Sequence, residues 1–263
     1  MQVRLLRHDV TMRRDSRPPA ITDLELLLVE IGVIRGTDDP QPLHDTAEVV
    51  VAMAADGTRG VVAGDRVPQA MVDRLTHGVA SAMAAVTAEG VPSAVAACAD
   101  LLAATEGHSR DVSGGPSYLV ERPAPVPGPQ PICSDDPRAA DVLGLRPPTW
   151  EPVEWAELVA GGDGAPWAML CRDGRVVSIC HSARLTRAGA EAGTWTAEDY
   201  RGRGYAAAVT AAWAPRVAAL CPRVFYSTSS DNRSSQRVAE RLGLRRLGSL
   251  WTLRRQREDG QDD

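Results

Sequence analysis

The chain has 263 residues, 44% of them hydrophobic and 24% charged, with a formal net charge of −5. That balance argues for a globular fold with a real core and against disorder or a dedicated nucleic-acid binder. All 29 basic residues are arginine, Phe225 is the only phenylalanine and Asn232 the only asparagine, a skew that fits a GC-rich genome and gives weight to a residue type used once.

The chain starts with MQVRLLRHD, charged too early for a signal peptide. Residues 21–34 have helical periodicity; the apolar run within them carries Glu25 and Glu30 and is too short to span a membrane. Residues 47–54 and 60–64 read as a β-hairpin around Asp56-Gly57. Residues 68–88 and 92–104 read as alanine-rich helices entered through proline, and 117–121 as a strand. The first 117 residues contain no aromatic side chain, and their histidines show no metal-ligand spacing. Five cysteines without a C-x-x-C pair argue against a disulfide framework or structural zinc site and for a reducing, cytoplasmic setting.

Prolines then recur at alternate positions in residues 123–131, PAPVPGPQP, a stiff extended connector. The expected organisation is therefore a small N-terminal α+β domain over 1–122, a second domain over 123–257 and a disordered tail over 258–263. In the second domain, 135–143 and 150–159 read as short helices. Strands are expected at 168–172 and 176–185, around Asp173-Gly174, and at 191–196, 224–229 and 248–253. Helices are expected at 204–214 and 236–242, the latter ending at Gly243.

The chemistry concentrates in residues 194–214, TWTAEDYRGRGYAAAVTAAWA. A strand enters Arg201-Gly202-Arg203-Gly204-Tyr205-Ala206 and continues as a helix rich in small residues. Glycines at such a turn admit close backbone approach, and the first-turn N–H groups with the positive dipole end make an anion site. Alone, the motif equally describes a tight turn capping a helix. Further on come Phe225-Tyr-Ser-Thr-Ser-Ser-Asp-Asn232 and an amphipathic helix closed by Leu242-Gly243-Leu244. Residues 201–257 hold twelve arginines and two acids, a local charge suited to a polyanion; few aromatics interleave to stack bases, which argues against nucleic acid.

Arg201-x-x-Gly204-x-Ala206, followed by Asn232-x-x-Ser235 and Leu242-Gly243-Leu244, resembles the paired motifs of the GNAT N-acetyltransferase superfamily, in particular bacterial members with an N-terminal extension. The resemblance covers roughly residues 123–253. It implies an α+β fold with a GNAT-like mixed twisted sheet and flanking helices. It also implies acetyl-CoA as cofactor, and transfer of acetyl to a primary amine of a small molecule or peptide by direct attack on the thioester. On this resemblance Arg201, Arg203, Gly204, Tyr205 and Ala206 would hold the pyrophosphate. Trp195 and Thr196 would line the pantetheine gap, a strand N–H near Trp195 serving as oxyanion donor. Asn232 and Ser235 would belong to the second cofactor motif.

Glu191 is the candidate base, with equal weight on a strand-end Glu paired to arginine; His181 is a second candidate. The tyrosine that often protonates the departing thiolate falls at Ala239, so Ser229 and Ser235 become the candidate donors. That departure keeps open a degenerate GNAT module that binds acyl-CoA without turnover. The aromatic-free half could complete an acceptor pocket, form a homodimer, or be a decayed second lobe.

Overall fold

The computed structural model describes residues 21–38, 43, 46, 48–82, 85–87 and 90–256. In chain order the elements are α1 (Asp23–Ile34), β1 (Val49–Ala54), β2 (Arg59–Ala63), α2 (Gln69–Ser81), α3 (Ser93–Glu106) and β3 (Arg110–Leu119). They continue with β4 (Ile132–Cys133), a 3-10 turn (Ala139–Leu145), α4 (Pro152–Val159), β5 (Trp167–Arg172), β6 (Arg175–Leu185) and β7 (Ala190–Thr196). The last are α5 (Tyr205–Ala218), β8 (Val224–Ser227), α6 (Arg233–Arg241) and β9 (Arg245–Arg255). The fold is α+β.

The expected elements recur with shifted ends, and the shifts have local causes. α1 starts on a capping box: Glu25 N–H donates to Thr22 Oγ1 (3.1 Å) and Thr22 N–H to Glu25 Oε2 (2.8 Å). The helix expected over 135–143 is a 3-10 turn displaced to Ala139–Leu145. α5 runs past residue 214 through Pro215 to Ala218. α6 begins three residues before the expected 236, because Asn232 caps it there by accepting from Ser235 N–H. At its other end Gly243, φ +63°, lets Leu244 N–H return to the Ala239 carbonyl (3.0 Å).

Compactness divides the chain into two units. One gathers the described residues of Met1–Leu28, Pro40–Gly115 and Leu247–Asp263; the other, those of Val29–Asp39 and Pro116–Arg246. The expected division, after residue 122, follows the proline content instead. In the first unit β1 pairs antiparallel with β2 on one side and with β9 on the other. Val49, Val51, Trp251 and Leu253 pack on Met71, Leu75 and Val79 of α2 and on Val95, Cys98 and Leu102 of α3.

In the second unit the strands run β3-β8-β7-β6-β5-β4. β7 and β8 are parallel and the other pairs antiparallel, a mixed sheet. α5 covers one face, with Val209, Trp213 and Val217 on Leu170, Cys180, Ala190, Val224 and Tyr226. Trp155 and Leu158 of α4 cover the other, on Trp167, Met169 and Ile179. Side chains alternate along a strand. Ala190 and Ala192 therefore face α5, while Glu191, Gly193 and Trp195 face the α4 side.

Candidate acyl-transfer site

The site begins where β7 and β8 part. β7 keeps β6 beside it through Thr196, but β8 pairs only with Ala190 and Glu191. From Ala192 to Thr196 the strand is half-exposed although it lies inside the sheet. Its backbone on that edge is outside the ladder, so it is open to bond an extended ligand.

Just past this edge the chain makes the glycine turn. Gly202 and Gly204 have φ of +75° and +80°, a conformation that disfavours a side chain. Gly204 is also the N-cap of α5, whose first ladder bond runs from Ala208 N–H to the Gly204 carbonyl (3.1 Å). The N–H groups of Tyr205, Ala206 and Ala207 thus precede the ladder, at the positive end of the helix dipole. A Cβ on Gly204 would lie 2.6 Å from Nη1 of Arg241, so the last turn of α6 delivers a guanidinium directly to this turn.

The other expected cofactor residues are held in different ways. Arg201 Nε donates to the Thr196 carbonyl (3.3 Å) and Thr196 Oγ1 bonds Ser178 Oγ (2.8 Å). Arg203 turns back: its Nη2 donates to the Asp199 carbonyl (3.0 Å) and its guanidinium lies 4.9 Å from the Tyr200 ring centre. Tyr205 stacks on Tyr200 at 6.2 Å, and the Ala206 carbonyl accepts from Thr210 Oγ1 (2.8 Å). The Trp195 side chain packs on the α4 side of the sheet. Asn232 caps α6, with Ser235 in its first turn. Ser229 is exposed, and its side chain, bonded to Asp231, helps lower that carboxyl's pKa.

Glu191 stands where the strands separate and is buried. Its Oε1 accepts from the N–H (2.8 Å) and hydroxyl (2.7 Å) of Ser227, while its Oε2 has no hydrogen-bond partner. Removal from water pushes the carboxyl up to about 7 against the opposing pull of Ser227. His181 lies over Gly193 and meets the Trp150 ring edge-on at 5.4 Å. Burial takes its imidazole down to about 4, so at neutral pH it is uncharged and a weak base. Of the two candidate bases, Glu191 holds a proton affinity near neutrality.

Four participants escape the motifs. Arg241 looks in sequence like any surface arginine of an amphipathic helix. Ser117 and Ser227 are cross-strand partners in β3 and β8; the hydroxyl-rich run 226–230 marks the strand of Ser227 as facing the cleft, but nothing local pairs either serine with a carboxyl. Glu30 was legible only as the one charge on the stripe of Leu26, Leu27 and Val33; a glutamate three or four residues from such neighbours is carried into a core. It is fully buried, and the Ser117 hydroxyl donates to its Oε2. At Ala239 the core holds an alanine together with the ring of Tyr226. Burial raises the Tyr226 pKa, the side chains of Ser235 and Thr194 acting the other way, and its hydroxyl has no partner within hydrogen-bond geometry.

Residues 134–245 match the Acetyltransferase (GNAT) domain family. Over that segment the chain is similar to GNAT domains. A GNAT-family structure from Novosphingobium aromaticivorans is 22% identical, with 56% of this chain and 66% of that one covered and a TM-score of 0.39. A GNAT acetyltransferase from Colwellia psychrerythraea is 14% identical, with 60% and 62% covered and a TM-score of 0.43. A tandem GNAT protein from the clavulanic acid biosynthesis pathway is 17% identical, with 78% and 75% covered and a TM-score of 0.43. This chain thus spans just under two thirds of the first two structures. No curated protein matches it. Among the described residues, no helix is long and apolar enough to cross a membrane, and no group of three His, Cys, Asp or Glu could hold a metal.

Proposed function

We propose that the chain is an acetyl-CoA-dependent N-acetyltransferase acting on a primary amine of a small molecule or peptide. The observation that carries this reading is the parting of β7 from β8 beside the glycine turn of α5, with a buried carboxyl at the point of divergence. The turn fits a pyrophosphate: first-turn N–H groups, a helix dipole and the Arg241 guanidinium converge where a side chain has no room. When bound, acyl-CoA supplies the acyl group as an activated thioester.

The chain's own residues do the rest. The open edge of β7 from Ala192 to Thr196 orients the ligand by backbone hydrogen bonds, and one of its N–H groups near Trp195 faces the developing oxyanion. Glu191 takes the proton from the incoming ammonium, freeing the nitrogen lone pair. Ser235 and Tyr226 are the donors we assign to the departing thiolate; Ser229 drops out because its hydroxyl serves Asp231. An amine acceptor suits this base, because a carboxyl with a proton affinity near neutrality can take one proton from a cation.

Incubation with acetyl-CoA and a panel of amines, read by thiol release and paired with calorimetry for CoA, tests the reading. Turnover with at least one amine is the expected result. Tight CoA binding without turnover across the panel would sink the enzyme and establish the binding module instead.

A further inference from the structure

Two buried carboxyls stand on one face of the second unit's sheet, and the acyl-transfer reading uses only one of them. Glu30 arrives from α1, nearly the whole domain away in sequence from Glu191 in β7. Each is held by one oxygen to a serine hydroxyl: Glu30 Oε2 by Ser117 and Glu191 Oε1 by Ser227. Those serines face each other across β3 and β8, and directly opposed residues hold their Cβ atoms about 5 Å apart. The second oxygen of each carboxyl, Glu30 Oε1 and Glu191 Oε2, is buried without a hydrogen-bond partner.

Two adjacent buried anions, each with an orphaned acceptor, are a costly arrangement. Among the described residues, no ion pair reaches either carboxyl. Arg184, opposite Glu191 in the β6 register, commits Nη1 to the Ala183 carbonyl (2.7 Å) and runs its stem past Gly36. The other titratable groups that act on the pair are the Cys180 thiol of β6 and the Tyr226 phenol of β8, both uncharged near neutrality, as is His181 on the same sheet face.

We propose that Glu30 and Glu191 share a single proton between Glu30 Oε1 and Glu191 Oε2, which makes Glu30 a positioning residue for the base. One proton removes one of the two charges and gives both orphaned oxygens a partner. Burial and the Glu191 charge both raise the proton affinity of Glu30, which agrees with the proton residing mainly there. Only Glu191 has any exposure, so exchange with a substrate runs through it. An acceptor ammonium loses one proton to Glu191, its N–H bond breaking as an O–H bond forms, and the nitrogen keeps the electron pair. The pair then holds two protons and is neutral. One proton leaves to solvent after transfer. This last role rests on the acyl-transfer reading; the shared proton does not.

Infrared spectra of the ligand-free full chain, recorded against pH, test the pairing through the stretch of a protonated carboxyl. The wild type is expected to show that signal at pH 7. In Glu191→Gln the midpoint of Glu30 is expected to fall, because the neighbouring negative charge is gone. In Glu30→Gln a single one-proton step should remain, from Glu191. Ser117→Ala removes the hydroxyl that favours ionised Glu30, so the midpoint should rise by about one pH unit. Serine to alanine is small enough to keep the test available if a Gln variant fails to fold. A wild type without the signal at neutral pH overturns the proposal, as do midpoints that ignore the partner's substitution. An expected spectrum with no thiol release from any amine refutes the transferase and leaves the shared proton standing; turnover without the signal does the reverse.

Discussion

The two units differ in how they bury polar groups. In the first unit charge meets opposite charge: buried Arg110 pairs with Glu106, and Arg254 Nε reaches Glu48 Oε1 at 2.6 Å. In the second, Glu30, Glu191, His181 and Tyr226 each keep a buried polar atom without a partner, and all belong to strands or helices around the divergence of β7 and β8. A buried polar atom left unpaired costs stability. Such costs gather where a site needs groups ready to exchange protons or meet a ligand. The gathering of four such groups around one divergence of strands agrees with the site proposed there, on grounds independent of the motifs.

The largest effect that would sharpen the contrast comes from Glu191. Replacement by glutamine keeps the shape and removes the base, so kcat/KM for the best amine should fall by about 10²-fold or more, read by thiol release. Glu48→Gln in the first unit should leave that constant unchanged. Equal effects from the two would erase the distinction between the units.

Gly204→Ala comes next. It places a Cβ at a positive φ and against Arg241, a strain of about 1–2 kcal/mol. The KM for acyl-CoA should rise about tenfold, with a smaller change in kcat, because the substitution spoils the phosphate cradle and spares Glu191. Arg241→Gln should raise the same KM several-fold and make it less sensitive to salt.

Stability against pH separates the buried acid from the buried imidazole. Glu191 binds its proton more tightly folded, at about 7, than unfolded. Its contribution is fully present below the unfolded carboxylate range and is lost as pH rises through about 7. His181 binds more weakly folded, at about 4, so its contribution grows as pH rises from about 4 to its ordinary value near 6.5. The two oppose each other in mildly acidic solution. Above pH 6.5 only the buried acids remain, Glu191 with Glu30 beside it, so unfolding free energy should decline there, the Glu191 part by at most about 1.4 kcal/mol per pH unit. Urea titrations at several pH values should show that decline reduced in Glu191→Gln, with the part due to Glu30 remaining, while His181→Gln alters only the acidic side.

The smallest effect belongs to the unique asparagine. Asn232→Ala removes the cap of α6 and should cost about 1 kcal/mol, visible as a lower Tm.

How legible was this in the sequence? The hairpins were, because Asp56-Gly57 and Asp173-Gly174 announce turns that the backbone then adopts, with φ of +90° at Gly57 and +51° and +70° at Asp173 and Gly174. The glycine turn was legible too, since its spacing and the small residues after it prescribe a strand-to-helix junction. Arg241 and Glu30 were not. Their roles depend on α6 returning to the turn and α1 lying on the sheet, and no local pattern encodes either approach. Asn232 could be singled out by its rarity, but its role as a cap is visible only through the bond from Ser235 N–H. Nor did composition reveal that β9 packs with β1 in the first unit, because that pairing joins residues from opposite ends of the chain.

The most direct test is the pH dependence of kcat/KM for the best amine acceptor, measured for wild type and Glu191→Gln. The account predicts a wild-type profile that climbs through an ionisation near pH 7, and a variant in which that ionisation is missing and the rate is low throughout. A variant that keeps both the rate and the ionisation would contradict Glu191 as the base.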